Sequence, residues 1–584
     1  MNAGLLWQSF IQQLEKIDFE GKIRLLRRYP RRRLALIAAL VIFLFYVLSR
    51  SSSSTTPSQN HQCVLDQIKY WDAEIEDYNA GVDSYSVNFV GNGHFGVDSN
   101  GYLRFASNNS RVLDVETDFV PGVSSVIENQ EEIGTAHLTD FFNGISRKIQ
   151  CTVVDGECAC VIVSFYAHRT RPNVLVQDIK VVNPTKSTIR LRAERPAVSS
   201  QWKQSKSGDA VVSMRTFNTP SFNVSVAVKR EETLRFICVV AQKESKLEQT
   251  DLSSEVIEKF STVRSLTTLD SEHKDGWKKL HSTFFSLVPS KAPDAINGDR
   301  VNATKYIILS HTKALTLEVG VPQETVKILE LSARRNELCY SGHSTLLYPS
   351  RLWQDWSTPD DLNTIAGLWL LTLEKRGCSN VLKTGAVGVA QAFVQSLAAA
   401  SFHDSHLEIG LDAGDLHREM SFGGIPIGSA TGTVGNVAVY IKINEENRPY
   451  FLVSSTAQLY ACDAGCLDVP FTLGTTAIKI PVKVTKPITS LLYIATNRKH
   501  LEQLKSAIHV SEVGAAPAHE EDLLELHRSG TGGGLPTSFW VMLVLVLIVF
   551  HLFLAKLLWS EWRKGDMTPY NPYLRSRYSY VRPH

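Results

Sequence analysis

From residue 85 onward, apolar and polar positions alternate in short runs closed by Gly, Asn and Asp, the period-two pattern of half-buried strands. Strands are expected at 148–154, 159–166, 174–182, 189–193, 224–229 and 233–241. They resume through 407–493, where VAVYIKI (437–443) and AIKIPVKV (477–484) are clearest. Between these blocks the period changes. Residues 254–285 read as helical and lead into a helical centre at 302–400. Its clearest helix is 360–376. Ser357 or Thr358 can cap it, Pro359 suits its first position, Asp360 and Asp361 sit where the helix dipole favours acids, and Gly377 ends it. A second helix at 384–400 carries Gly385, Ala386, Gly388, Ala390, Ala392, Ala398, Ala399 and Ala400, so neighbours are expected to pack close on most of its sides. A last helix is expected near 500–508.

Two runs are apolar without periodicity. Residues 34–49 follow the basic stretch RRYPRRR and are expected to form a transmembrane signal anchor. A cleaved signal peptide is the competing reading, but 33 residues precede the run and no A-x-A site follows it. Residues 538–559 are the second expected transmembrane helix, with Trp540 and Trp559 at the interfaces and Lys556 snorkelling. His551 is costly at that depth; it either faces a partner helix or sits neutral. Seven Lys/Arg lie between Lys22 and Arg33, and Arg563 and Lys564 follow the second run. Both termini are therefore expected in the cytosol and the region between outside it.

The expected organisation is a basic, amphipathic cytosolic N-terminus (1–33), the anchor (34–49) and a linker (50–62). A large antiparallel β-sandwich (63–253), a small helical centre (254–402) and a C-terminal β domain (403–511) follow. A flexible stalk (512–537), the membrane helix (538–559) and a cytosolic tail (560–584) complete it. The fold class is thus an α+β membrane protein with two transmembrane helices.

Charge refines this picture. Net charge is +2, yet residues 50–530 hold 47 basic and 54 acidic side chains, so the middle is mildly acidic between basic ends. No basic-aromatic pattern reads as a nucleic-acid surface. Sequons at Asn108, Asn223 and Asn302 all fall on the non-cytosolic side and are expected to carry glycans. All nine cysteines lie between Cys63 and Cys466, where an oxidising compartment would permit disulfides. Cys158 and Cys160 are too close to pair with each other, so one of them, Cys160 above all, is expected to pair with Cys151; Cys462 and Cys466 could close a small loop. The odd count leaves at least one thiol over. No cluster has zinc spacing, and no cofactor is expected.

VGNGHFGVDSNGYLRF (90–105) fits G-x-G-x-x-G at Gly91, Gly93 and Gly96, but strand and turn follow it, not a helix, which excludes a dinucleotide site. The same phrase, with RTRPNVLVQDIKVVNPTKSTIRLRA (169–193), resembles the N-terminal sandwich of glycoside hydrolase family 65. VNATKYIILS (301–310) resembles the first helix of that family's (α/α)₆ barrel, and TGAVGVAQAFVQSLAAASFHDSHLEI (384–409) resembles its last helix and the entry to its C-terminal β domain. The two-anchor architecture also resembles an uncharacterised animal family of membrane glycoproteins with this kind of ectodomain. A full barrel needs about 300 residues or more. Here the two helix matches lie within 301–400, so the barrel is truncated and its catalytic middle has no counterpart. The resemblance therefore carries over no catalytic residue.

The remaining local candidates are few. LWQDWS offers Trp353 and Trp356 as sugar platforms and Asp355 as an acid; Glu408, Asp412 and Asp415 follow the second helix. Asp355 and Glu408 are the weak catalytic candidates, against ordinary core packing and capping roles. In the tail, Arg575 and Arg577 resemble an arginine-based retrieval signal of the endoplasmic reticulum. The expected protein is an endoplasmic reticulum membrane glycoprotein, with Golgi or plasma membrane as alternatives. Its degenerate, glycosidase-like lumenal ectodomain binds or scaffolds within a membrane assembly, with membrane-protein partners and a glycan as candidate ligands. The rival reading is an active lumenal carbohydrate-processing hydrolase.

Overall fold

The computed structural model describes residues 59–69, 77–79, 88–98, 100–107, 109–128, 133–194, 204–207, 210–213, 222–241, 252–334, 339–347, 351–403, 406–428, 434–527 and 537–565. The expectations for the N-terminus, the 34–49 anchor, Asn108, and Arg575 and Arg577 lie outside the described residues.

The expected sandwich is built on an eight-stranded sheet whose long central strands are Ile145–Val154, Glu157–Ala167, Val174–Asn183 and Arg230–Val240. Its pairings are antiparallel except one: Ala210–Ser213 runs parallel to the end of Arg230–Val240. Side-chain alternation assigns the two faces. Ala159, Val161, Val163, Ile179 and Val181 meet Ile127, Leu191 and Val226 of a three-stranded sheet. The opposite face is covered by helices. Cys160 and Ile162 pack under helix α1 (Gln59–Ile68), and Tyr166, Val174 and Val176 pack under α2 (Leu252–Arg264). Residues 59–62, expected in a linker, thus belong to α1, and Cys63 within it is bonded to Cys158. The other disulfides join Cys151 to Cys160, Cys339 to Cys378 and Cys462 to Cys466, leaving Cys238 as a buried thiol.

The expected helical stretch at 254–285 is two helices, α2 and α3 (Leu269–Leu280), followed by a strand, Phe284–Leu287. The centre itself contains α4 (Gly298–Ser310), α5 (Gln323–Arg334), α6 (Pro359–Leu373), α7 (Ser379–Leu382) and α8 (Ala386–Leu397). At the start of α6, Thr358 accepts from Asp361 N while the Asp361 carboxylate accepts from Thr358 N, a reciprocal cap with Pro359 at the first helical position. Gly377, at φ 89°, breaks the helix a few residues beyond α6. Helix α8 is buried almost throughout. A Cβ on Gly388 would overlap the Val381 carbonyl, which is why small residues fill this helix.

The C-terminal β unit is two five-stranded sheets. Phe284–Leu287 forms the edge of the first by pairing with Met420–Ile427, so this unit begins before the helical centre in sequence. Its strands share one core with α4, α6 and α8, which includes Trp277, Trp369 and Phe393 at 0–1% exposure. Burying one side chain of this size stabilises the fold by roughly 1.5–3 kcal/mol. Helix α9 (Arg498–Ala507) packs on the second sheet through Leu501.

Residues 512–527, expected in a flexible stalk, are folded. Glu512–Ala515 pairs with Lys483–Lys486, and a short helix α10 (Glu521–Glu525) buries Leu524. The composition is polar, but backbone pairing and two buried apolar residues, Ala516 and Leu524, hold the segment down. Helix α11 (Thr537–Gly565) is, among the described residues, the one helix long and apolar enough to cross a membrane. His551 Nδ1 lies 2.6 Å from the Leu547 carbonyl one turn back, so one of its two ring nitrogens is satisfied within its own helix.

Candidate functional site

A cleft of about 710 Å³ survives between the sandwich and the helical centre. One wall is the loop after Leu103–Phe105, with Ser107, Asn109 and Arg111. The other is made by the chain leaving α4, the end of α6, α7 and the start of α8. Leu315, Leu370, Leu382 and Val389 supply its apolar surface.

Glycines fix its geometry. Gly93 N donates to Ser310 O at 3.0 Å, and a Cβ on Gly93, which has φ 85°, would overlap the backbone of Thr312 and Lys313. On the far side Ala386 N donates to Lys313 O at 2.8 Å, and Gly385 at φ 76° leaves room only for that carbonyl. The Lys313 backbone is therefore clamped from both sides, and its side chain lines the cleft. Arg169, fully buried, donates to Leu309 O (2.9 Å) and Thr312 O (2.6 Å), placing a cation at the C-terminal end of α4 where the helix dipole favours it. The G-x-G-x-x-G run thus serves close packing against α4.

The charged lining is basic. Arg111, Lys313 and Lys383 face a single carboxylate, Glu374, which Arg111 engages across the cleft through Nε at 3.0 Å. Lys383 also reaches Asn380 Oδ1 at 3.1 Å. His311 is 4% exposed and stacks on Phe89 with ring centroids 4.8 Å apart. Both its ring nitrogens are engaged, by Ile307 O at 2.8 Å and Asn363 Oδ1 at 3.0 Å, and burial holds its pKa below the usual value. It is a buried wall residue held by its own helix and by the Asn363 side chain. Glycosidic hydrolysis uses two carboxylates about 5–9.5 Å apart across the bond. This lining offers one, held by an arginine.

The sequence candidates lie elsewhere. Trp353 and Trp356 are 8% and 7% exposed. Trp353 Nε1 donates to Thr345 O at 2.9 Å and its ring meets Trp369 edge-on; the Arg300 guanidinium covers Trp356 at 4.3 Å. Both are core residues without a free face for a sugar. Asp355 points to solvent and pairs with Arg300. Glu408 sits on a strand of the C-terminal unit, where Oε1 is 2.8 Å from His406 Nε2 and Oε2 accepts from Ser490 Oγ at 2.7 Å. Burial raises its pKa, but the bonds from His406 and Ser490 outweigh that and leave it lowered, the wrong direction for a proton donor. Asp412 caps the short turn at Gly414, and Asp415 is pushed up by burial and by Asp412. Asp355 and Glu408 share no bonding partner. Asn302 is half-buried in α4 between buried Val301 and Ala303; Asn223 lies on the strand Phe222–Val226.

The cleft residues Arg111, Lys313, Glu374 and Lys383 carried no sequence signal. They come from four separate segments, and only the small residues around Gly93 and Gly385 hinted at close approach.

Comparison with known proteins gives three findings. A family profile described as "Uncharacterized conserved protein (DUF2152)" matches residues 13–581. The chain is 29% identical to an uncharacterized protein KIAA2013 homolog of Xenopus tropicalis, covering 91% of this chain and 94% of the relative. It is 28% identical to the Xenopus laevis homolog, over 91% and 95%. Among solved structures, a putative kojibiose phosphorylase from human microbiome aligns over 55% of each chain at 10% identity with a TM-score of 0.31, a likeness that carries no argument about activity.

Proposed function

The chain belongs to the DUF2152 family, and from that premise we propose that it is a non-catalytic, membrane-anchored binding subunit whose ectodomain cleft takes an anionic ligand. The observation that carries the reading is the cleft itself, open at about 710 Å³ but lined by three basic groups and one arginine-bound carboxylate. An open pocket without an acid pair fits binding better than glycosidic hydrolysis. Four disulfides fit an oxidising compartment, and α11 fits a membrane anchor. A scaffolding role in an endoplasmic reticulum membrane assembly, with the ectodomain lumenal and both termini cytosolic, completes the reading.

The test uses the purified full-length chain and a panel of neutral, phosphorylated and sulfated oligosaccharides. No sugar should be released. The charged members should bind, and Lys313→Glu with Lys383→Glu should weaken them by about tenfold or more, since each reversal turns an attraction into a repulsion. Sugar release that disappears in Glu374→Gln would overturn the non-catalytic reading. Equal affinity for neutral and charged members would overturn the anionic one.

Residence has its own test. Retrieval signals of the arginine type rely on a planar guanidinium fork that Lys lacks, whereas attraction to anionic lipid needs only charge. Arg575→Lys with Arg577→Lys should therefore let glycans mature beyond the endoglycosidase-H-sensitive form. Glycans that stay sensitive in this variant would rule the motif out.

A further inference from the structure

After the C-terminal β unit, residues 516–527 run as a strap along the edge and turns of its first sheet. Ala516 N donates to Val482 O at 3.1 Å, and Arg448 donates to Ala516 O. His519 N donates to Asn447 O at 2.9 Å, Asn447 Nδ2 to Glu521 Oε2 at 2.9 Å, and Lys291 N to Leu526 O at 2.9 Å. Beneath these bonds lie three imidazoles. The His417 ring is 4.9 Å from that of His527 and 6.0 Å from that of His519. His519 Nε2 and His527 Nδ1 are buried and meet no hydrogen-bond partner. His417 and His527 line a pocket of about 210 Å³ with Glu419, Asn444 and Asn447. Among the described residues no group of three such side chains converges to hold a metal ion.

We propose that this strap is a proton-sensitive latch: charging His519 and His527, which pack against the His417 ring, unseats residues 516–527 from the C-terminal β unit. Three rings this close cannot all become cations without mutual repulsion. The surrounding charges act in both directions: Asp415 offsets part of it at His417 and the strap carries the exposed acids Glu520, Glu521, Asp522 and Glu525, while basic groups add to it. Arg418, next to His417, spends its guanidinium on Val288 O, Ile296 O and Asn297 Oδ1 and adds positive charge. Arg448 and Lys291 flank the strap, while Glu521 is engaged by Asn447. Glu419 lines the pocket but forms no ion pair with any of the three rings, and Asp415 acts on His417 from two residues away. Burial, then His417, depresses the pKa of both His519 and His527 below 6.5, with Arg418 adding to His527. The released strap binds more protons than the seated one. Seating is therefore fully favoured above pH 6.5 and is lost progressively as pH falls below it.

Hydrogen exchange of the full-length chain in detergent, corrected for intrinsic pH effects, reads the latch directly. Amides of 516–527 should exchange about tenfold faster at pH 5.5 than at pH 7.4 relative to the central strand Gly435–Ile443. His417→Gln with His519→Gln and His527→Gln should remove that pH dependence. Should the triple variant fail to fold, His519→Gln alone, at the least buried of the strap's two rings, should reduce it. Strap exchange that is the same at both pH values in the unmodified chain, or equally pH-dependent in the variants, would overturn the proposal.

Discussion

Gly385→Ala is expected to cost about 3 kcal/mol or more and to dismantle the cleft. Gly385 sits at φ 76°, ψ −145°, a region open essentially to glycine alone, and an added Cβ would overlap the Lys313 carbonyl. Two penalties therefore combine, backbone strain of about 1–3 kcal/mol and a steric clash against main chain that cannot swing aside. Relief would require moving the start of α8 or the segment after α4, and both carry cleft residues. Gly156 provides the control. Its φ is 80°, but nothing lies within 4 Å of the added Cβ, so Gly156→Ala should cost only about 1–2 kcal/mol. Denaturant midpoints of the two variants measure the difference. Equal losses would show that the approach of Gly385 to Lys313 is not a constraint.

Cys63→Ser with Cys158→Ser is the second large effect. The bond closes a segment of 95 residues in sequence separation, and on the chain-entropy account its removal frees the unfolded state by about 4–5 kcal/mol. Cys462–Cys466 spans a separation of only 4, for which the same account gives about 2 kcal/mol. Beyond stability, α1 should become an early site of proteolytic cutting, because what remains to hold it is chiefly the packing of Val64 and Ile68 on Ala136, Leu138, Ile149 and Ile162 and the bond from Val153 N to Asn60 Oδ1. Urea unfolding of the two double variants compares the losses. A Cys462–Cys466 loss as large as that of Cys63–Cys158 would remove loop length as the explanation.

What could be read in the sequence was local. The cap at Thr358, the break at Gly377 and the small residues of α8 each follow from short-range rules, and the structure has all three. Strand alternation carried the sheets for the same reason: a period of two is decided by neighbours in the chain. Long-range placement escaped. Cys158 finds its partner 95 residues away, and the cleft draws Arg111, Lys313, Glu374 and Lys383 from segments with no shared pattern. The polar run at 512–527 read as a stalk because its anchorage is main-chain hydrogen bonding, which composition does not register. Trp353 and Trp356 show the same limit in reverse: a tryptophan beside an acid reads alike whether its ring faces a sugar or, as here, Trp369 and Arg300.

Leu287 and Met420 are directly paired across adjacent antiparallel strands. Everything between them, residues 288–419, leaves and re-enters this first sheet at neighbouring points about 5 Å apart, and its last part, Ala400–His403 and His406–Ile409, pairs into the second sheet. In topological terms most of the helical centre is a hairpin loop of very large size, tied off at its base by the sheet. Closing such a loop costs only about 0.6 kcal/mol more for each doubling of its length. The β unit therefore places almost no constraint on how many helices the loop contains, and a helical layer can shrink to the few that bury α8 while the strands beneath keep their register.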